Sequence, residues 1–211
     1  MNRIMRSLVC GLGVAALAAC SPKLTTPEGF PALYVSPDNG NVLVFAEPDL
    51  DFSHYRKVLI EPTRVRLPQE GTAAATADET AELTAYVDER LRQSLAKSFE
   101  IVDTPAHDVL RIRFSIVGAE PTKKAQMVMM VPPFAMVNMV SPKGAFTGSV
   151  TLAGEFFDGS EQEASAAFVA YGSRPGVDAS VAFRRWDAAK KVIDNVTERL
   201  ASDLEALRTE Q

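Results

Sequence analysis

Val109-Leu110-Arg111-Ile112-Arg113-Phe114-Ser115-Ile116-Val117 is the stretch that decides the fold. Leu110, Ile112, Phe114 and Ile116 alternate with Arg111, Arg113 and Ser115, the period of two that sends alternate side chains to opposite faces of a pleated strand. One face is apolar and the other charged, the pattern of a half-buried strand. Such a strand needs a sheet to sit in and a layer to cover its apolar face.

The flanking sequence supplies both. Thr76-Ala77-Asp78-Glu79 has the pattern of a capping box. Leu83, Val87, Leu91 and Leu95 then recur every fourth residue, with Tyr86 beside them, and predict an amphipathic helix of about twenty residues. Trp186, Ile193, Val196, Leu200, Leu204 and Leu207 predict a second helix with Lys190, Lys191, Glu198 and Arg199 on its outer side. Residues 145–158 repeat the strand alternation through Phe146, Val150, Leu152 and Phe156. Asp158-Gly159 turns the chain, and Ala164–Tyr171 returns as the hairpin partner. Val58-Leu59-Ile60 centres another strand, which Pro62 ends at a bulge or edge, and Phe99–Asp103 is a short strand stopped by Pro105. The order strand, helix, two strands, apolar excursion, hairpin, helix predicts an α+β fold. It is read as a two-layer sandwich, with two amphipathic helices on a mostly antiparallel sheet of about five strands. No internal repeat is found.

Of the 211 residues, 46% are hydrophobic and 23% charged, which excludes a disordered or fibrous chain. The 22 basic and 27 acidic residues give a net charge of −5 with no basic block. That argues against a nucleic-acid partner, because phosphate backbones demand clustered Lys and Arg.

The first residues carry an address. Arg3 and Arg6 precede an apolar run, Leu8–Ala19, too short at about 1.5 Å per residue to span a bilayer of about 30 Å. This is the pattern of a secretory signal, residues 1–19. Leu17-Ala18-Ala19-Cys20 resembles the lipobox of bacterial lipoproteins, in which the cysteine thiol is acylated, palmitate among the chains. An ordinary signal cut near Ala19 would leave Cys20 a spare thiol. Several acyl chains on one cysteine make a stable membrane anchor. Ser21, where an inner-membrane signal would carry Asp, points by resemblance to enteric sorting rules to the outer membrane, facing the periplasm. Cys10 leaves with the signal and Cys20 is consumed, so no disulfide is expected. Loss of Arg3 and Arg6 leaves 20 basic residues against 27 acidic ones, a charge of −7.

Residues 20–50 read as a Pro-rich tether through Pro22, Pro27, Pro31, Pro37 and Pro48. Within it Leu33-Tyr34-Val35 and Val42-Leu43-Val44-Phe45 are strand-like and are expected to dock on the domain, ending the free part near Pro31. Residues 51–211 form the single domain.

Candidate chemistry is sparse. His54 and His107 are the two imidazoles, near Asp51 and Asp108. A nucleophile elbow G-x-S-x-G is absent, and Gly148-Ser149 sits inside a strand pattern, so no catalytic residue is assigned. No H-x₃-H, C-x₂-C or EF-hand spacing occurs, and Asp78, Glu79, Glu82 and Asp88 read as a solvated helix face, so no metal is expected. Gly144 and Gly148 do not open a helix and make no phosphate loop, and no cofactor is expected. Arg111 and Arg113, with Arg174, Arg184 and Arg185, could converge on a carboxylate or phosphate. The favoured expectation is that they pair with Glu155, Asp187 or helix acids on a covered face.

The most unusual stretch is Gln126–Val140, QMVMMVPPFAMVNMV, which holds five of the seven methionines. It is too short and too Pro-broken to span a membrane. Flexible thioethers suit adaptable surfaces, and an exposed apolar patch marks a contact site. Met127, Met129, Met130, Phe134, Met136 and Met139 are its candidate contact residues. The alternative, of equal weight, is a buried hairpin or crossover over the domain's own core.

Taken in order, the motifs resemble a family of proteobacterial lipoproteins known as domain of unknown function 3313. The resemblance rests on Phe52-Ser53-His54-Tyr55, Lys57-Val58-Leu59-Ile60-Glu61-Pro62, Phe99-Glu100-Ile101-Val102-Asp103, Asp108-Val109-Leu110-Arg111, Glu120-Pro121-Thr122 and Phe183-Arg184-Arg185-Trp186-Asp187-Ala188-Ala189-Lys190, over residues 50–208. It implies a lipid-anchored envelope protein with no assigned activity and carries no catalytic residue over. The expected function is a non-enzymatic module that meets the membrane through its anchor and binds an envelope protein partner or an apolar ligand. Alternatives are an accessory lipoprotein of a lipid or transport system, and an envelope hydrolase acting through His54 or His107.

Overall fold

The structure, a computed structural model, describes residues 24–37, 39–66, 75–120, 148–174 and 186–209. Its elements are β1 (Tyr34–Val35), β2 (Val42–Ala46), β3 (Lys57–Ile60), β4 (Arg64–Val65), α1 (Ala77–Leu95), β5 (Glu100–Val102), β6 (Val109–Glu120), β7 (Gly148–Asp158), β8 (Ala166–Arg174) and α2 (Asp187–Thr209).

The class is α+β, but the expected sheet of about five mostly antiparallel strands is corrected to one mixed sheet of eight strands. Its order is β1-β2-β8-β7-β6-β3-β5, with β4 also pairing β6. The four antiparallel pairings run from β1 to β6. β3 pairs in parallel with β6 on one side and β5 on the other. A parallel pair needs a crossover, and α1 lies between β3 and β5 to provide it. The strand count rises for two reasons. β1 and β2 come from the Pro-rich stretch, and β3 and β4 are one strand interrupted at Glu61-Pro62-Thr63. Pro62 has no N–H to give, yet Glu61 N donates to Ile112 O at 2.9 Å and Arg66 N to Ile116 O at 2.9 Å, so both pieces follow β6. Thr63 is turned instead toward α1, its N and Oγ1 donating to Asp88 Oδ1 at 3.0 and 2.5 Å.

β6 is the central strand, and it extends beyond Val117 to Glu120. A register irregularity between Ile116 and Gly118 resets its alternation, so that Ala119 joins the same core as Ile116. The helix-side face is built from Val58 and Ile60, Leu110, Ile112, Phe114 and Ile116, Val150, Leu152 and Phe156, and Ala166. Both helices contribute to that one cluster: Leu83, Val87, Leu91 and Leu95 from α1, and Ala189, Val192, Ile193, Ala201 and Leu204 from α2. The capping box at Thr76 is formed, with Glu79 N donating to Thr76 Oγ1 and Thr76 N to Glu79 Oε2 at 3.0 Å. Of the expected α2 stripe, Trp186, Ile193 and Leu204 are buried and Val196 and Leu200 pack against the same core, but small residues share that face. Alanines 188, 189 and 201 and Thr197 are buried with Ile193, whereas Leu200 is half-buried and Leu207 is 41% exposed. Small residues face the sheet because α2 approaches closely: a Cβ on Gly172 of β8 would lie 2.2 Å from Val192 Cγ1.

The opposite face of the sheet is also covered in part. Leu24, Phe30 and Leu33, inside the stretch read as tether, pack against Leu43, Ala153 and Val169. Arg66 fixes that segment by donating to Glu28 O at 2.9 Å and lying over the Phe30 ring. β6 is therefore not half-buried but enclosed along much of its length, and Ser115 on its second face is fully buried. Among the described residues no helix is long and apolar enough to cross a membrane.

Candidate functional site

Two polar constellations stand out, both created by sheet register. The first is on the face away from the helices. Arg113 of β6 is the cross-strand partner of Glu155 on β7, and Arg111 that of Phe157. Glu61, which continues the alternation of Lys57 and Leu59 onto this face, receives Arg113 Nε at 2.7 Å and Nη2 at 3.2 Å, a bidentate pairing. Arg111 Nη1 lies 3.3 Å from the same carboxylate and Arg64 Nη2 3.4 Å from it. Both β6 guanidinium groups also sit over the buried Phe157 ring, at 4.5 and 4.6 Å from its centroid. Arg111 donates further to Glu161 O. Burial raises the Glu61 pKa, but the hydrogen bond and charge of Arg113, with Arg111 and Arg64, outweigh it and hold the group below the ordinary carboxylate range. Glu155 goes the other way. Burial pushes it up against the pull of Arg113, whose Nη1 is 3.9 Å away, and its Oε2 has no hydrogen-bond partner. Arg111 and Arg113 thus pair with acids, as expected, but chiefly with Glu61, which was not among the expected partners, and only Arg113 comes near the expected Glu155. Arg184 and Arg185 lie outside the described residues, as does the side chain of Arg174.

The second constellation lies at the end of the sheet where β3 and β6 begin and β7 stops. His54 belongs to a turn that Asp51 holds, its carboxylate accepting from Ser53 N at 2.7 Å and Ser53 Oγ at 2.9 Å. The next residue, Tyr55, is buried and anchors the turn, with its ring 3.9 Å from that of His54. His107 sits in the turn before β6, where Val109 N donates to Ala106 O at 3.0 Å. Gly159, with φ +50°, brings the end of β7 onto that turn: a Cβ there would lie 2.9 Å from Ala106 O. The result places His54, His107 and Asp158 with one ligand atom each, all within 4.8 Å of one another. The imidazole centroids are 6.2 Å apart at 87°. Burial first, then the Asp158 carboxylate, pushes the Tyr55 phenol up. Lys57 Nζ pairs with Asp108 at 2.9 Å beside the cluster.

The sequence did not anticipate this grouping. The three residues lie 53 and 51 positions apart and fit no spacing motif, because sheet pairing and not a local segment assembles them. The hydrolase alternative fares differently. Ser149 is at the opposite end of β7 from Asp158, about 30 Å away at ~3.3 Å per residue. It donates to Glu120 Oε2 at 3.4 Å. Among the described residues neither histidine hydrogen-bonds to a serine. A shallow depression of about 150 Å³ between the ends of α1 and α2, with Lys97 and Glu198 in its lining, is smaller than the ~300–1,000 Å³ of typical ligand sites. Cys20, the signal segment and the contact candidates Met127, Met129, Met130, Phe134, Met136 and Met139 lie outside the described residues. The flanks of that segment are described, however: Glu120 pairs with Ser149, so residues 121–147 leave and rejoin the sheet between adjacent hydrogen-bonded strands.

Comparison with solved structures finds several distant likenesses. A PelC dodecamer from Paraburkholderia phytofirmans is 11% identical at a TM-score of 0.43, covering 78% of this chain and 96% of that one. Hypothetical protein CT253 from Chlamydia trachomatis is 12% identical at 0.42, covering 74% and 99%. A minor lipoprotein from Acinetobacter baumannii is 13% identical at 0.36, covering 73% and 93%. No curated protein matches the chain. A family model described as "Protein of unknown function (DUF3313)" matches residues 32–200, starting just before β1 and ending within α2.

Proposed function

The chain belongs to the DUF3313 family of proteins of unknown function, and from that premise we propose that it is a lipid-anchored envelope protein, acylated at Cys20 and acting as a non-enzymatic binding module. The observation that carries the reading is the seating of the N-terminal segment. Leu24, Phe30 and Leu33 pack on the sheet face away from the helices, and Leu24 follows Cys20 by only four positions. Four extended residues reach at most about 14 Å. Acyl chains on Cys20 would therefore hold this domain against the bilayer surface, in the outer membrane facing the periplasm on the Ser21 argument.

The contact surface in this reading is Gln126–Val140. It springs from the end of β6 and β7 where the chain exits through Glu120 and returns at Gly148. Arg66, which clasps the N-terminal segment, follows β4 toward the same end, since β4 pairs with Ser115 and Ile116. Glu120 and Gly148, which flank the apolar segment, and Arg66, which holds the N-terminal segment, thus lie toward one end of the sheet, an arrangement in keeping with a partner that is itself in or on the membrane. An accessory role in a lipid or transport system is the form of this reading in which the partner is the carrier or its apolar cargo.

Cys20→Ser tests the anchor. The variant is expected to lose metabolic acyl labelling and to leave the membrane fraction while keeping its melting temperature. Labelling that persists in the variant overturns the anchor.

A further inference from the structure

We propose that His54, His107 and Asp158 form a binding site for one divalent transition-metal ion, with Zn²⁺ as the representative occupant. Two imidazoles and one carboxylate are a donor set that zinc accepts, leaving a fourth position to water. Their ligand atoms, within 4.8 Å of one another, need to approach to about 3.4 Å, the separation that metal–ligand bonds of ~2.0–2.2 Å impose on a tetrahedron. The two histidines are exposed and can make that adjustment by side-chain rotation, while Asp158 is the fixed member at the end of β7.

Three further features point the same way. Asp158 Oδ1 is buried and has no hydrogen-bond partner, so the carboxylate that lies within reach of the imidazoles keeps an unused acceptor oxygen. The buried Tyr55 supports the site from beneath, in contact with the His54 ring and acting on the Asp158 carboxylate through its hydroxyl. Supporting groups of this kind orient metal ligands and strengthen binding. The turns are also built to bring the three together, through the Asp51–Ser53 hydrogen bonds before His54 and the close approach of Gly159 to Ala106 before His107. Nitrogen donors select Zn²⁺, Ni²⁺ and Cu²⁺ over Mg²⁺ and Ca²⁺, which prefer all-oxygen sites. The site lies at the opposite end of β6 and β7 from Glu120 and Gly148, and it shares no residue with the binding surface proposed above.

The test is calorimetric titration of Zn²⁺ into the chelator-treated full chain, with His54→Gln and His107→Gln in parallel. Both variants keep every cysteine and every other acid, so any binding elsewhere is common to all three proteins. The wild type is expected to show one saturable site and a higher melting temperature with Zn²⁺, and no such rise with Mg²⁺. Loss of a supporting group alone weakens metal sites by about 10–100-fold, so loss of either ligand should weaken this one by more than about tenfold. Each variant should melt like the wild type without metal, because the substituted side chains are exposed. Absence of a saturable site in the wild type, or unchanged affinity in either variant, overturns the proposal.

Discussion

The hydroxyl of Tyr86 in α1 donates to Asp194 Oδ1 of α2 at 2.7 Å. It is the middle rung of a ladder. Lys190 Nζ reaches Glu82 at 2.6 Å one turn before it, and Arg90 Nη2 reaches Glu198 at 2.9 Å one turn after it, all three pairs 108 residues apart. A constant offset stepping by four on both helices means that α1 and α2 run parallel and in register over the sheet.

The Tyr86 rung has a pH signature. Burial first, then the bond to Asp194, pushes its phenol up to about 12. A folded-state value above the unfolded value of about 10 means that the fold favours the protonated, neutral phenol. That stabilisation is present in full below pH ~10 and is lost as pH rises toward ~12. Tyr86→Phe should cost about 0.5–1.5 kcal/mol at neutral pH. The variant should also lose stability less steeply than the wild type above pH ~10, with the raised Tyr55 supplying the steepness that remains. Parallel slopes in urea titrations across that range would reject the role.

Glu61 and Glu155 should respond oppositely to amide substitution. Glu61→Gln removes the charge that Arg113, Arg111 and Arg64 share, and should destabilise by about 1.5–3 kcal/mol. Glu155→Gln removes a carboxylate that burial disfavours, and should be neutral or slightly stabilising at pH 7. Glu61, with its lowered pKa, stabilises above the ordinary carboxylate range and loses that contribution as pH falls through its folded-state value. The acid-side midpoint should therefore shift upward in Glu61→Gln. Equal effects of the two substitutions in thermal melts would contradict this division.

How much of this was legible in the sequence depended on the range of the interaction. The capping box at Thr76, the α1 stripe and the alternation of Leu110 to Ile116 are local, and each appears where its spacing put it. The parallel pairing of β3 with β6 and β5 left no mark in any single segment, so the sheet was read as too small and too uniformly antiparallel. β1 and β2 were legible as strand-like segments despite the prolines around them, and they dock as expected, β2 on β8 and β1 on β2, but they were assigned to the tether and left out of the strand count. The α2 stripe was legible at Trp186, Ile193 and Leu204, but its buried alanines were missed because large residues were weighted over small ones, while a helix lying close on Gly172 buries alanines. The pairing of Arg113 with Glu155 was legible because both lay on the charged side of an alternating pattern. The meeting of two histidines with Asp158 was not, since it requires the register of β6 against β7.

That close approach yields a packing prediction. A Cβ at Gly172 would fall 2.2 Å from Val192 Cγ1 and 3.1 Å from Cγ2, both on the buried face of α2. Val192 is β-branched and stiff at χ1, so it cannot simply rotate away and the helix must lift. Gly172→Ala should cost about 1–3 kcal/mol. Adding Val192→Ala should recover part of the loss by vacating the space, and a double variant no more stable than Gly172→Ala would show that α2 docks elsewhere.

The remaining prediction concerns the methionines. Once residues 1–19 are removed, every methionine of the chain lies between Met127 and Met139. The helix-side core described above is built instead from Leu, Ile, Val, Phe, Tyr, Trp and Ala. A chain that packs its core with side chains of defined rotamers and gathers all its flexible thioethers in one connection has separated two tasks, since Met adapts well and specifies packing poorly. On the contact reading, Met129→Gln, Met130→Gln and Met136→Gln combined should leave the melting temperature nearly unchanged and reduce co-sedimentation of the acylated protein with its membrane partner. On the core reading, three buried amides would each cost about 1–3 kcal/mol. Against a total stability of about 5–15 kcal/mol, that would largely unfold the domain. A circular-dichroism melt of the triple variant separates the two, and a collapsed melting temperature places Gln126–Val140 in the core and removes it as a contact surface.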